Sequence, residues 1–407
     1  MKYKKLIATA TLVGSMFTTT AAETVEQKLA RFEAQLTALQ AQVTQAQETQ
    51  LSPAVAKAIQ DQVAAASTSK VSIAKHIEKF KFKGDLRLRH ETRERNANGS
   101  DRQRFRQRFR LGFTFETSED WEVGFGLSTP NNSRSRNDTY QANFGNSNLV
   151  VDYAYIKHDV NDQLSFIGGQ TKKTHIGSKL LWDSDIRPIG ATAQFKEGNF
   201  FGSASVYNTS NGEISDKVSY GTMGLVQVGY KMDKANFALG FQHYSAPSLE
   251  VLNNVSGGTV TPGANFDVID LYGDIKFKVG DVKMKAYAHA AYNVTAGDTA
   301  SKSGVAGQKA EDHAGAIVVG LKTKLGKWAL GYDYAYIQAD VLPESIKDAD
   351  FGRAAGQSID TDIHGHIAKL SYSISKNSTV SVKQMLTQRI EGSRDGNLTQ
   401  LDFKYKF

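Results

Sequence analysis

The chain has 407 residues, no cysteine and 6 prolines, with a formal net charge of +7 and a mean hydropathy of -0.40. No apolar run of about 18 residues lies beyond the N-terminal stretch, which excludes a helical membrane protein. The composition is compatible with a membrane β-barrel, because its alternating strands average to polar hydropathy values.

The first 22 residues have the pattern of a secretory signal peptide. Three lysines lie within the first five residues, an apolar stretch spans Leu6–Phe17, and small residues end at Ala22, which predicts cleavage before Glu23. Removing three lysines from a charge of +7 leaves +4, so the mature chain is only mildly basic. Export and this small charge argue against a nucleic-acid partner, and export without cysteine means that no disulfide stabilises the fold.

A heptad pattern follows the signal peptide, in residues 23–50. Its apolar positions are Val25, Leu29, Phe32, Leu36, Leu39, Val43 and Ala46. Steps of four and three residues are typical of a coiled coil, so we predict a short self-associating stem. A lone amphipathic helix lying on a neighbour remains the alternative. Residues 51–80 are interpreted as a linker.

From residue 81 to the C-terminus, polar and apolar residues alternate in segments rich in Tyr, Phe, Val and Thr, which predicts β-strands. There are sixteen such segments: 83–95, 102–117, 121–129, 148–159, 163–173, 188–197, 199–209, 220–232, 236–245, 266–279, 281–294, 311–325, 327–340, 362–375, 377–390 and 398–407.

The connections between these segments alternate in length. Short turns follow at 118–120, 162, 198, 234, 280, 326 and 376, whereas the longer loops are 130–147, 174–187, 246–265, 295–310 and 341–361. Outer-membrane barrels have short periplasmic turns and long extracellular loops. We therefore predict an all-β fold, a 16-stranded antiparallel transmembrane β-barrel over residues 81–407, with both ends and the stem on the periplasmic side.

An arginine-rich pattern distinguishes the first two segments. In DRQRFRQRFRLGFTF, residues 101–115, the arginines occupy even positions, and a period of two places them on one face of a strand. An arginine facing lipid costs about 2–4 kcal/mol, so this face must line an aqueous lumen. The predicted pore-lining residues are Arg87, Arg89, Arg93, Arg102, Arg104, Arg106, Arg108 and Arg110, and Arg95 continues the row.

Aromatic residues mark the predicted membrane boundaries. Trp121 and Trp328 each open a strand after a short turn, where an interfacial girdle would lie. The last strand, LTQLDFKYKF, ends with Phe403, Tyr405 and Phe407 in one phase. This ending resembles the C-terminal signal that is read by the outer-membrane assembly machinery.

Four stretches resemble the putative porins of Gram-negative outer membranes: FKGDLRLRHETR at 82–93, RFRQRFRLGF at 104–113, DYAYI at 152–156 and LLWDSDIRPIGA at 180–191. Such proteins are similar to sixteen-stranded trimeric diffusion porins, and the resemblance implies passive passage of small hydrophilic solutes.

In that class of porins a loop after the fifth strand narrows the lumen. The matching loop here is THIGSKLLWDSDIR, residues 174–187, with Trp182, Asp183 and Asp185. If it enters the lumen, we expect both aspartates to lie against the arginine face. A purely structural role, in which Trp182 packs the loop on the inner wall, remains open.

We therefore predict an outer-membrane porin with a modest anion preference; the alternative is a mainly structural envelope protein with a narrow or plugged barrel. The expected partners are outer-membrane lipid and lipopolysaccharide, the assembly machinery, small solutes and further copies in a homotrimer. We expect no enzyme activity, because no G-x-S-x-G motif stands out, and no cofactor or metal. His364 and His366 share a strand face, and an interfacial role is favoured over a metal site.

Overall fold

The computed structural model describes residues 79–95, 101–117, 119–129, 135–140, 147–208, 222–244, 266–353 and 361–407, together with three helical residues, Ala34, Thr37 and Lys57. The chain divides into two units, Met1–His76 and Ile77–Phe407. Apart from those three residues and the first two of β1, the predicted signal peptide, stem and linker lie outside the described residues. Within the described ranges, no helix is long and apolar enough to cross a membrane.

The second unit is an antiparallel β-barrel. Its strands are β1 (Lys79–Arg95), β2 (Arg102–Glu116), β3 (Trp121–Ser128), β4 (Asp138–Thr139), β5 (Val150–Asp159), β6 (Leu164–Gln170), β7 (Ile189–Glu197), β8 (Phe200–Asn208), β9 (Thr222–Lys231), β10 (Ala235–Tyr244), β11 (Phe266–Val279), β12 (Val282–Asn293), β13 (Gly315–Leu325), β14 (Trp328–Ile337), β15 (Ile363–Ser373), β16 (Ser378–Arg389) and β17 (Asp395–Lys406).

Closure of the barrel joins the two ends of this strand series. β17 pairs antiparallel with β1, from Asp85 opposite Lys406 to Arg95 opposite Gly396. The two-residue β4 pairs only with β2, while β3 pairs directly with β5, so β4 adds no strand to the wall. The predicted 16-stranded antiparallel barrel is therefore confirmed.

Apolar side chains cover the outer face of the barrel, and polar side chains lie on the inner face. In β11, Ile269, Leu271 and Ile275 are 43%, 57% and 51% exposed, whereas Asp270 and Asp274 are 3% and 5% exposed. A soluble protein has the opposite arrangement, because large apolar side chains are normally buried. Apolar side chains exposed on the outer face, with polar side chains on the inner face of the same strands, are typical of a barrel in lipid.

The short turns and the residues after them lie where the sequence predicted. Gly280 and Gly326 both have φ of +57°, a conformation that costs glycine little because it has no Cβ. Trp121 and Trp328, each following a short turn, are 42% and 47% exposed on the outer face. This is the arrangement that an interfacial girdle requires.

Two loops fill part of the barrel interior. The first inner loop, residues 171–188 between β6 and β7, buries Leu180 and Trp182. The second inner loop, residues 338–353 after β14, buries Ile346 and Phe351 in the same apolar cluster. The sequence assigns 341–361 to a long loop. Its described residues up to Arg353 fold inward, because their large apolar side chains are buried against the first inner loop.

Candidate pore and constriction

The predicted arginines share the inner face of β1 and β2. The register places Arg87 opposite Arg108 and Arg89 opposite Arg106. Three of these four guanidinium groups are strongly buried by other inner side chains, since Arg89, Arg106 and Arg108 are only 3–6% exposed. Like charges directly opposite one another are destabilising, so this arginine face needs acidic partners.

Glu91 is the acidic centre of the arginine face. Its carboxylate is 1% exposed and accepts hydrogen bonds from Arg104 Nε at 2.6 Å and from Gln400 Nε2 at 2.9 Å. Arg89 and Arg106 lie 3.8 Å and 3.7 Å from the same carboxylate. One carboxylate therefore compensates several buried guanidinium groups.

Two further carboxylates complete this network. Asp85 accepts from Arg108 at 2.7 Å and from Arg110 at 2.7 Å. Asp402, on β17, accepts two hydrogen bonds from Arg89, at 2.6 Å and 2.9 Å. Sequence reasoning missed Asp402, although barrel closure predicts that the last strand pairs with the first, and Asp402 lies in the inward phase of LDFKYK.

The first inner loop is anchored on the opposite wall. The Ile176 backbone exchanges two hydrogen bonds with the Gln227 amide, at 2.8 Å and 2.9 Å. The Ser178 backbone N–H donates to His289 Nδ1 at 3.0 Å, and His289 Nε2 lies 3.0 Å from Asp270 Oδ1. These contacts on β9, β11 and β12 hold the loop inside the lumen.

Trp182 connects the first inner loop to the second. Its side chain is 2% exposed and meets the His175 ring edge-on, with ring centroids 4.7 Å apart. Beside it the Asp183 N–H donates to the Ile346 carbonyl at 2.7 Å. Trp182 therefore packs the loop, and its predicted place in a constriction stays a prediction.

The two aspartates of the first inner loop lie in different surroundings. Burial, together with the neighbouring Asp348 and Asp185, raises the pKa of Asp183 to about 8. Asp183 is therefore mostly protonated at neutral pH, and the groups acting on it are acidic, so it does not pair with the arginine face. Asp185 does act electrostatically on Arg87 and Arg108. The predicted opposition of charges stays a prediction for Asp185, and the acidic surroundings of Asp183 do not favour it there.

Several further inner residues were not predicted from the sequence. Asp350, on the second inner loop, lies 3.6 Å from Arg89 and accepts a hydrogen bond from Gln400 at 3.0 Å. Asn137, beside β4, accepts from Arg106 through its carbonyl at 2.8 Å and from Arg87 through its side chain. No short motif marks these positions, because loops that fold inward bring them to the arginine face.

The last residues of β17 lie on the outer face. Phe403, Tyr405 and Phe407 are 39%, 43% and 43% exposed, and Phe407 is tied to β1 by two backbone hydrogen bonds with Gly84, of 2.8 Å and 3.1 Å. Their role as an assembly signal stays a prediction. His366 also points outward, where Tyr332 Oη lies 2.7 Å from its Nδ1.

A comparison with protein families now bears on this barrel. Residues 93–242 match the family described as Putative porin. The resemblance recognised from the sequence is thus confirmed over this segment, and the match together with the barrel supports an outer-membrane channel.

Solved porins share the fold of this barrel. A triple mutant of the Rhodopseudomonas blastica porin is 10% identical, with a TM-score of 0.50, and the match covers 81% of this chain and 100% of that one. Pseudomonas putida OprB, in a high-pH structure, is 12% identical, with a TM-score of 0.55, and the match covers 84% and 97%. No curated protein sequence matches the chain.

Proposed function

We propose that this protein is a passive outer-membrane channel for small hydrophilic solutes with a modest preference for anions. The observation that carries the proposal is the arginine face, which runs along β1 and β2 inside a closed barrel. Guanidinium groups in a dry core would each cost several kcal/mol unless fully paired. A water-filled path keeps the incompletely paired ones hydrated.

The balance of charge on this face favours anions. Nine arginines lie along β1 and β2, and among the residues that the structure describes their carboxylate partners belong to Asp85, Glu91, Asp350 and Asp402. Positive charge is in excess even when Arg95 is left out. A narrow polar path lined by one sign of charge raises the local concentration of the opposite ion. Asp185 is one of the groups that limit the effect.

We expect the purified mature protein to conduct more chloride than potassium. In planar bilayers under a KCl gradient at pH 7, the reversal potential should have the sign of an anion-preferring channel. A clear cation preference would contradict the proposal, and would mean that carboxylates dominate the narrowest point.

The same preference should decline as pH rises from about 7 to about 9. Asp183, with its pKa of about 8, becomes negatively charged over this range. Lys172 and Lys173 have their pKa values lowered to about 8, chiefly by desolvation, and lose positive charge over the same range. All three changes have the same sign, so a reversal potential that is constant over this range would contradict them.

A second candidate is a mainly structural envelope protein with a plugged barrel. The observation in its favour is the apolar cluster between the two inner loops, which occupies part of the lumen. This candidate predicts no stepwise KCl conductance in the bilayer experiment. A diffusion channel predicts stepwise increases of the KCl current at every moderate voltage.

We also infer the organisation of the exported chain: a signal peptide at 1–22, a periplasmic stem at 23–50, a linker at 51–80 and the barrel at 81–407. Insertion would use the assembly machinery, through Phe403, Tyr405 and Phe407. The outer face would contact lipid and lipopolysaccharide. The heptads and the resemblance to trimeric porins support this arrangement.

The intact protein should be a trimer that depends on its stem. Leu29, Phe32, Leu36 and Leu39 would each contribute about 1.5–3 kcal/mol when buried in a seam. Light scattering on detergent-solubilised protein should give a trimer for the full mature chain and smaller species after deletion of residues 23–50. A monomeric intact protein would refute the trimer, and a trimer that survives the deletion would assign assembly to the barrel walls.

A further inference from the structure

A basic cavity lies inside the barrel beside the start of β1 and the end of β17. Its volume is about 740 Å³, and its lining includes six lysines and two arginines but only two aspartates. The lysines are Lys83, Lys172, Lys173, Lys179, Lys404 and Lys406. Small-molecule sites usually have volumes of about 300–1,000 Å³, so this cavity is large enough for a solute.

The two aspartates of the basic cavity are already neutralised by arginines. Asp85 accepts from Arg110 at 2.7 Å. Asp152 accepts from Arg136 at 2.7 Å and from Arg187 at 3.0 Å. The carboxylates and guanidinium groups therefore compensate one another, and the charge of the lysines is left over.

None of the six lysines forms an ion pair with a residue that the structure describes. Lys172 Nζ lies 4.3 Å from the centre of the Tyr153 ring, and Lys173 Nζ donates to the Gly177 carbonyl at 3.1 Å. Desolvation and the neighbouring Arg187 lower the pKa of Lys172 to about 8. Several ammonium groups close together, without acidic partners, favour a ligand that carries more than one negative charge.

We propose that the basic cavity binds a small organic phosphate on its way through the barrel, an inference that rests on the channel function proposed above. Ammonium groups bind phosphate as compact point charges, whereas the planar fork of arginine, which binds carboxylate and phosphate bidentately, is not free in this cavity. The arginines of this cavity are occupied by Asp85 and Asp152. Tyr153 and Trp182 also line the cavity and offer an apolar wall to the organic part of the ligand.

A second set of lysines provides a matched control. On β11 and β12, Lys276 lies opposite Lys285 and Lys278 opposite Lys283, and these four side chains do not line the basic cavity. Replacing two of them removes the same charge from the barrel as replacing two lysines of the cavity. The comparison therefore separates a binding site from a general positive field.

The test measures block of the chloride current by glucose 6-phosphate in planar bilayers, with glucose as the neutral probe and succinate as the dicarboxylate. For the full mature protein we expect saturable block by glucose 6-phosphate and none by glucose. The double variant Lys172→Gln, Lys404→Gln should weaken block by about tenfold or more, since each charged hydrogen bond is worth about tenfold in affinity. The double variant Lys278→Gln, Lys283→Gln should leave block unchanged.

Three results would overturn the proposal while KCl is still conducted: no saturable block, equal weakening in both double variants, or block by succinate as tight as that by glucose 6-phosphate. The KCl conductance of each variant reports that it has folded and inserted. If the unmodified protein conducts no KCl at all, the channel function is refuted, and the phosphate site with it.

Discussion

Replacing Glu91 by glutamine should destabilise the barrel by about 3 kcal/mol, near the lower end of the cost of breaking a buried ion pair. The carboxylate is 1% exposed and compensates Arg104, Arg89 and Arg106. The lower end of this range is expected because the Arg104 side chain is 21% exposed and stays partly hydrated after the carboxylate is removed. Urea titration of the protein refolded into lipid vesicles measures the free energy of unfolding.

The matched control for Glu91→Gln is Glu116→Gln. Glu116 pairs with Lys79 and Lys81, whose side chains are 65% and 59% exposed at the start of β1. Exposed ion pairs contribute little, so this variant should unfold at nearly the same urea concentration as the unmodified protein. If both variants lose the same stability, the carboxylate of Glu91 does not neutralise the arginine face.

Replacing Trp182 by alanine should release the first inner loop and widen the pore. Truncation of a buried tryptophan costs about 3–5 kcal/mol. The cost falls on the contact between the two inner loops, because Trp182 belongs to their shared apolar cluster with Ile346 and Phe351. We expect a larger and noisier single-channel conductance, with strand content in circular dichroism unchanged.

The control for this variant is Trp328→Ala, which removes the same side chain from the outer face, where it is 47% exposed. It should leave single-channel conductance as it was. An unchanged conductance in the Trp182→Ala variant would show that the inner loops do not border the conducting path. Ions would then pass along a part of the barrel wall that the inner loops do not cover.

The first inner loop borders both the basic cavity and the apolar cluster between the two inner loops. It contributes Lys179 to the cavity and Leu180 to the cluster. Its apolar residues fix its position against the second inner loop, and its lysines then face the remaining open space. Selectivity and loop stability depend on the same short segment.

The sequence by itself determined the barrel, its strand number and the face to which each strand side chain points. The physical reason is local. Side chains of an extended chain alternate between two faces, and a charged side chain that faces lipid is energetically costly, whereas one that faces water is not. The arginines of β1 and β2 can therefore be assigned to the inner face from their spacing and from the cost of placing arginine in lipid.

Only the tertiary structure decided which groups meet inside. Asp402 reaches Arg89 because closure pairs two strands 313 residues apart, and Asp350 reaches it because an apolar loop folds inward. The same folding buries Asp183 beside Asp348 and Asp185, which raises its pKa and removes it from the expected pairing. Strand phase is set by neighbours in sequence, whereas the path of a loop depends on long-range burial of a few side chains such as Trp182 and Phe351, and no local periodicity records it.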